Sequence, residues 1–138
     1  MKEIEIPSEI KSIFIPEEYQ KDFELKKVKE IRNEWHIDCR ERPDKVPVEL
    51  EGGRYKLNGY VGKTEVITFP IRGKAAYIHF YRRKWKNLDT GEIMSNSYQL
   101  HPEGMKATKE FGDFLKELTG QERSEFYSTF PNLRLGRE

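Results

Sequence analysis

Residues 66 to 88 contain no aspartate or glutamate, yet six cations fall among them: Arg72, Lys74, Arg82, Arg83, Lys84 and Lys86. The whole chain carries a formal charge of only +1, so charge is segregated along it rather than scarce. From Lys74 to about Trp85 the stretch alternates. Ala76, Ile78 and Phe80 share one phase, and Tyr77, His79, Tyr81, Arg83 and Trp85 share the other. Such alternation is the pattern of a half-buried strand. Arg82 and Lys84 continue the apolar phase, where an unpaired charge cannot be buried. The strand must therefore run past the edge of its core or break its alternation at a bulge near Arg82. Cations interleaved with Tyr77, Phe80, Tyr81 and Trp85 are also the composition of a surface that meets nucleic-acid phosphates and bases. On that basis Arg82, Arg83, Lys84 and Lys86 are candidates to neutralise phosphates. Arg72 and Lys74 would add to the same edge, and Tyr81 and Trp85 would pack on sugars or bases.

The rest of the chain must fold this segment onto one face. Its 138 residues suit one domain with ragged ends. Apolar and charged residues each make up 36%, so the core is small and draws its volume from eight Phe, seven Tyr and two Trp. The single Cys39 excludes an internal disulfide, and with no apolar signal core or long apolar run the expectation is a cytoplasmic, non-membrane protein.

Read in order, the pattern predicts an α+β fold: a small antiparallel sheet of hairpins over residues 22–98, a short N-terminal helix or arm within 1–20, a helical hairpin over 102–130 and a tail at 131–138. Ser8 is placed to cap a short helix with Ile10, Ile13 and Phe14 on one face, suited to lid the sheet. Phe23/Leu25 and Trp35/Ile37/Cys39 alternate with polar residues on either side of a turn near Arg32-Asn33-Glu34, a first hairpin. Residues 41–53 read as loop. Arg54 to Val61 is a short strand interrupted at Asn58-Gly59, Thr64 to Phe69 is a strand, and residues 70–73 turn the chain into the strand at Lys74. A turn at residues 87–91 leads to a short return strand, making the second half a three-strand meander. His101-Pro102-Glu103 marks a helix start with Phe111, Phe114, Leu115 and Leu118 on one face, and Thr119 with Glu122 makes a capping box for a second helix through Phe126, Tyr127 and Phe130.

Candidate catalytic chemistry is thin. His36 and Cys39 are three apart on a strand, hence on opposite faces, and no second Cys or His lies nearby in sequence to complete a tetrahedral metal set. His36, His79 and His101 sit on three separate elements, and no glycine-rich phosphate loop occurs. The sequence therefore suggests no catalytic residues, no metal and no cofactor.

Five segments in one order carry a likeness: Phe-Pro-Ile-Arg-Gly-Lys at 69–74, Tyr-Ile-His-Phe at 77–80, Arg-Arg-Lys-Trp at 82–85, Asp-Thr-Gly at 89–91 and Glu-Gly-Met-Lys-Ala-Thr-Lys-Glu-Phe at 103–111. Together they resemble the N-terminal region of ISAon-type bacterial insertion-sequence transposases over about residues 60–118. In that family this region precedes a catalytic part with three acidic metal ligands, often as a separate reading frame. A more distant similarity is to transposase zinc ribbons, whose Cys-x-x-Cys-Gly is replaced here by Asn87, Thr90 and Gly91. Neither Asn nor Thr substitutes for a zinc thiolate. The likeness implies a metal-free ribbon held by a hydrogen-bonded turn, in a non-catalytic, DNA-binding part of a transposase that engages the element's ends. Two other expectations stand beside it. Phe111, Phe114, Leu118, Phe126 and Phe130 could dock a separately encoded catalytic subunit or a second copy, and the basic strand could instead serve an RNA-binding regulator.

Overall fold

A computed structural model describes residues 2–4 (backbone), 7, 10–131 and 133. The elements run β1 (Lys2–Ile4), α1 (Lys11–Phe14), α2 (Glu17–Gln20), β2 (Phe23–Ile31), β3 (Glu34–Glu41), a 3₁₀ turn (Val48–Leu50), β4 (Tyr55–Tyr60), β5 (Thr64–Ile71), β6 (Lys74–Tyr81), β7 (Arg83–Asn87), β8 (Ile93–Met94), α3 (Lys109–Glu117) and α4 (Gly120–Thr129). The fold is mixed α+β, with short helices before the sheet and two longer ones after it. Among the described residues the strands form one sheet in the order β1-β2-β3-β6-β5 and a second in the order β4-β7-β8.

The two sheets share one bent hairpin. β5 pairs with β6 and β4 with β7, both antiparallel, and the register slips between Thr68 and Ile71 and again between Leu57 and Tyr60. Arg72 and Gly73, both at positive φ, close its tip in the left-handed geometry that two-residue hairpin turns require. At Arg82 the ladder breaks as the alternation demanded. β6 ends at Tyr81, β7 begins at Arg83, and the Val61 amide donates to the Arg82 carbonyl at 2.8 Å to carry the pairing through. Slips of this kind sharpen local twist. They turn the distal half, β4 and β7, out of the main sheet.

Both faces of the main sheet are used. Ala76, Ile78 and Phe80 point into a first core with Ile37, Cys39, Val66, Val28 and Phe23, lidded by Ile15 and Tyr19. Phe80 meets Phe23 and Tyr19 with ring centroids 4.9 Å apart, and the Tyr19 hydroxyl donates to the Leu100 carbonyl at 2.7 Å. On the opposite face Ile67 and Tyr77 are buried under Phe111 and Leu115 of α3. That second core covers only the β5–β6 side toward the Arg72 turn.

Several expectations are corrected. The main sheet is not wholly antiparallel: β3 runs parallel to β6, Ile37 opposite Ile78 and Cys39 opposite Phe80. Its outermost strand is residues 2–4, which belonged to the expected helical arm, whereas the Ser8 cap and the tail beyond Leu133 lie outside the described residues. Ile10 and Ile13 are exposed, and the lid is made by Ile15 and Tyr19 instead. No three-strand meander forms, because β8 pairs with β7 in the second sheet rather than extending the first. The C-terminal helix starts at Thr108, not at His101. Residues 102–105 turn the chain and 106–108 lie beside β5, with the Ile67 amide donating to the Lys106 carbonyl and the Thr108 amide to the Ile67 carbonyl, both at 2.9 Å. Backbone pairing with the sheet outcompetes helix there. The Thr108 hydroxyl then caps α3 and Thr119 forms the expected capping box of α4 with Glu122.

Candidate functional site

The basic stretch does not project as one unit. Arg72 and Arg82 lie at opposite ends of β6, whose eight residues span about 26 Å. Arg72 is exposed at the hairpin tip. Lys74 forms an ion pair with Glu30 and sits 5.0 Å from the centre of the Trp35 ring. Tyr81 faces the open side of the main sheet, with the Arg40 guanidinium 5.3 Å from its ring centre. Arg72 and Lys74 thus sit at the far end of the main sheet, whereas Tyr81 packs against Tyr60 of β4, ring centroids 6.2 Å apart, beside the second sheet.

Arg83 and Trp85 point inward, contrary to the surface role expected of them. Arg83 is only 9% exposed, and Glu41 at the end of β3 holds it twice: the Arg83 amide donates to the Glu41 carboxylate and its Nε to the Glu41 carbonyl, each at 2.8 Å. The same carboxylate accepts from Asn96 Nδ2 at 3.0 Å and from the Tyr98 hydroxyl. A fully buried carboxylate is tolerable only with such pairing. Glu41 thus fastens the second sheet to the first, a role that nothing in its sequence context, just before Arg42-Pro43, announces. Arg82 is also engaged, donating from Nη1 to the Asn96 carbonyl at 2.8 Å. Trp85 is buried against Tyr55, ring centroids 5.8 Å apart.

Strand alternation then puts Lys84 and Lys86 on the outer face of the second sheet. Lys56 of β4 is the direct partner of Lys86 and so shares that face, as does Ile93 of β8. Lys56 precedes the acid-free stretch and carries no signal of its own in the sequence; only the β4–β7 register brings it in. Three lysines on two adjacent strands form a cationic patch, with no ion pair to any of them among the described residues. Like charges directly opposite one another on a sheet are destabilising. The Lys56–Lys86 pair is such a juxtaposition.

The strand tip is held by a hydrogen-bonded turn. Asn87 Oδ1 accepts from the amides of Asp89 at 2.8 Å and Thr90 at 3.2 Å, the Thr90 hydroxyl accepts from the Glu92 amide at 3.2 Å, and the Gly91 amide donates to the Asn87 carbonyl at 2.8 Å. Arg54 grips Asp89 at 2.6 Å, so that acid is engaged at the tip.

The proposed docking aromatics are mostly spent inside the molecule. Phe111 is fully buried, and Phe69, Phe111, Phe114 and Phe126 form a cluster of rings at 5.0–6.3 Å that Phe130 extends through Phe126 at 5.1 Å. Leu118 packs against the same core, and Phe114 keeps an exposed edge.

Among the described residues no helix is long and apolar enough to cross a membrane. Comparison with family models, with curated proteins and with solved structures finds no match.

Proposed function

We propose that the chain is a non-catalytic nucleic-acid-binding module that contacts duplex DNA through the outer face of its second sheet, as the resemblance to transposase N-terminal regions implies. The observation that carries this is the Lys56, Lys84 and Lys86 patch, built around a like-charged cross-strand pair. A polyanion bound across the strands relieves that repulsion, and each phosphate contact releases condensed counterions. The lysine-bearing strands β4 and β7 are adjacent in a small three-stranded sheet, and β-sheets are among the elements that enter DNA grooves. The backbone of β7 is fastened to the main sheet by Glu41 and its tip by Asn87, so the lysines are presented on a rigid support.

The test is anisotropy titration of a labelled terminal-repeat duplex, with a scrambled duplex and single-stranded RNA as competitors. Lys56→Gln/Lys84→Gln/Lys86→Gln should weaken duplex binding by at least tenfold without lowering the unfolding midpoint, since it removes the Lys56–Lys86 repulsion. Preference for the terminal repeat over the scrambled sequence supports recognition of element ends. Unchanged affinity in the triple variant overturns the interface, and RNA outcompeting both duplexes overturns the choice of DNA.

A further inference from the structure

The open part of the main sheet, beyond the reach of α3, gathers polar groups from three adjacent strands. Parallel pairing of β3 with β6 sets His36 opposite Tyr77 and Asp38 opposite His79, and antiparallel pairing of β5 sets Glu65 opposite His79. All these side chains share one face. The two histidines that the sequence left on separate elements are thereby in contact: His36 Nδ1 lies 2.8 Å from His79 Nε2, their rings nearly parallel at 15°. Glu65 Oε2 lies 3.7 Å from His79 Nδ1, and Glu34 Oε1 lies 3.2 Å from His36 Nε2. Cys39 is on the other face, in the first core.

We propose that His36, His79 and Glu65 form a binding site for a divalent transition metal of the zinc class. One ligand atom from each lies within 4.8 Å of the other two. Two imidazoles and one carboxylate are a donor set that zinc takes with a fourth position left for water or an anion. Bonds of about 2.1 Å in tetrahedral geometry hold ligand atoms about 3.4 Å apart. The histidine nitrogens, 2.8 Å apart, need to part by about half an ångström, and Glu65 closes on them from within 4.8 Å. Glu65 has that freedom, with 35% of its side chain exposed, while His79 is 91% covered and fixed. Glu34 on the far nitrogen of His36 directs Nδ1 toward the site, the outer-shell arrangement that metal-bound imidazoles favour.

A further observation also points to a cation. Asp38 is 9% exposed, Arg40 Nη2 reaches its Oδ2 at 3.3 Å, and its buried Oδ1 has no hydrogen-bond partner among the described residues. Asp38 is His79's direct neighbour on β3, so this unpartnered carboxylate oxygen lies beside the ligand set. The site opens into a cleft of about 410 Å³ whose walls include Lys29, Lys63 and Tyr81. These lysines oppose a bare cation but suit an anion in the metal's fourth position, and Glu34, Asp38 and Glu65 balance them. The inference does not rest on the DNA-binding reading.

The test is titration of the chelator-treated full chain with Co²⁺ alone, followed by Zn²⁺. One equivalent of Co²⁺ should produce the visible bands of a four-coordinate nitrogen–oxygen site without a thiolate charge-transfer band, and Zn²⁺ should bleach them. His36→Gln and Glu65→Gln, both at half-buried positions, should each weaken Zn²⁺ binding at least tenfold with far-UV circular dichroism unchanged, and His101→Gln should not. The Lys56/Lys84/Lys86 triple variant should bind metal like the parent. No cobalt spectrum at one equivalent, or equal affinity in the His36 and Glu65 variants, overturns the proposal.

Discussion

The same hairpin carries two polar faces of opposite character. On the main sheet Lys74 is set against Glu30 and Arg40 against Asp38, and the rings of His36 and His79 face Glu34 and Glu65. On the second sheet Lys56, Lys84 and Lys86 are gathered without an acid paired to them among the described residues. A face balanced internally can hold a small cation or simply support the fold. A face left positive is suited to a polyanion supplied from outside. Charge density along the sequence does not separate the two cases; the presence of a counter-charge across the strands does.

The junction between the faces should be the most sensitive place to break this contrast. Glu41→Ala removes the buried carboxylate that accepts from the Arg83 amide, Asn96 Nδ2 and the Tyr98 hydroxyl, so the donors left unpaired should cost about 3 kcal/mol in urea-unfolding free energy and loosen β7 from β3. A loss near zero would mean that the two sheets are not joined through this carboxylate. Phe111→Ala tests the support of the main sheet alone. Burying the ring against Ile67 and Phe69 makes about 3 kcal/mol the expected loss, with duplex affinity per folded molecule unchanged. Loss of DNA binding in a folded Phe111→Ala protein would tie the interface to the wrong sheet.

A milder probe is pH. Burial pushes the Cys39 thiol up, with the charge of Asp38 adding to it; burial pushes the Tyr19 and Tyr98 hydroxyls up, joined for Tyr98 by the hydrogen bond to Glu41. Each group stays protonated in the folded chain above the pH at which it ionises when unfolded. Their stabilisation is therefore complete below the ordinary thiol and phenol ranges and is lost as pH rises through and beyond them, from about 8.5 upward. Urea midpoints should fall between pH 8 and 10.5, and Cys39 should resist alkylation until the protein unfolds. The smallest effect belongs to Lys109→Ala. Its hydrogen bond holds the Asp113 carboxyl below the usual range, support that is present above that range and lost as pH falls, but both residues are exposed. The urea midpoint at pH 7 should not move measurably.

What could be read from the chain was local. The first hairpin and its Arg32-Asn33 turn, at φ of 52° and 65°, follow from alternation and from tolerance of positive φ. The inward phase of Ala76, Ile78 and Phe80, the Asn87 turn and the Thr119 cap are likewise set by residues a few positions apart. What escaped was non-local. Nothing in either strand specifies that β3 lies parallel beside β6, so the His36–His79 contact across 43 positions was invisible, and so was Lys56 opposite Lys86. Pro102 carried the signature of a helix start, yet the following residues found their hydrogen bonds on β5 instead. Arg83 looked like one more surface cation because the residue that holds its amide and its guanidinium, Glu41, sits 42 positions away.

The central claim is that the polyanion surface is the second sheet and not the hairpin tip, and salt dependence separates them. Three phosphate contacts at 0.9 counterions each give a slope of about −2.7 for log affinity against log salt. The parent and Arg72→Gln should both show that slope on duplex DNA, and Lys56→Gln/Lys84→Gln/Lys86→Gln should be nearly flat. A triple variant that keeps the parent slope while Arg72→Gln loses it would contradict the claim.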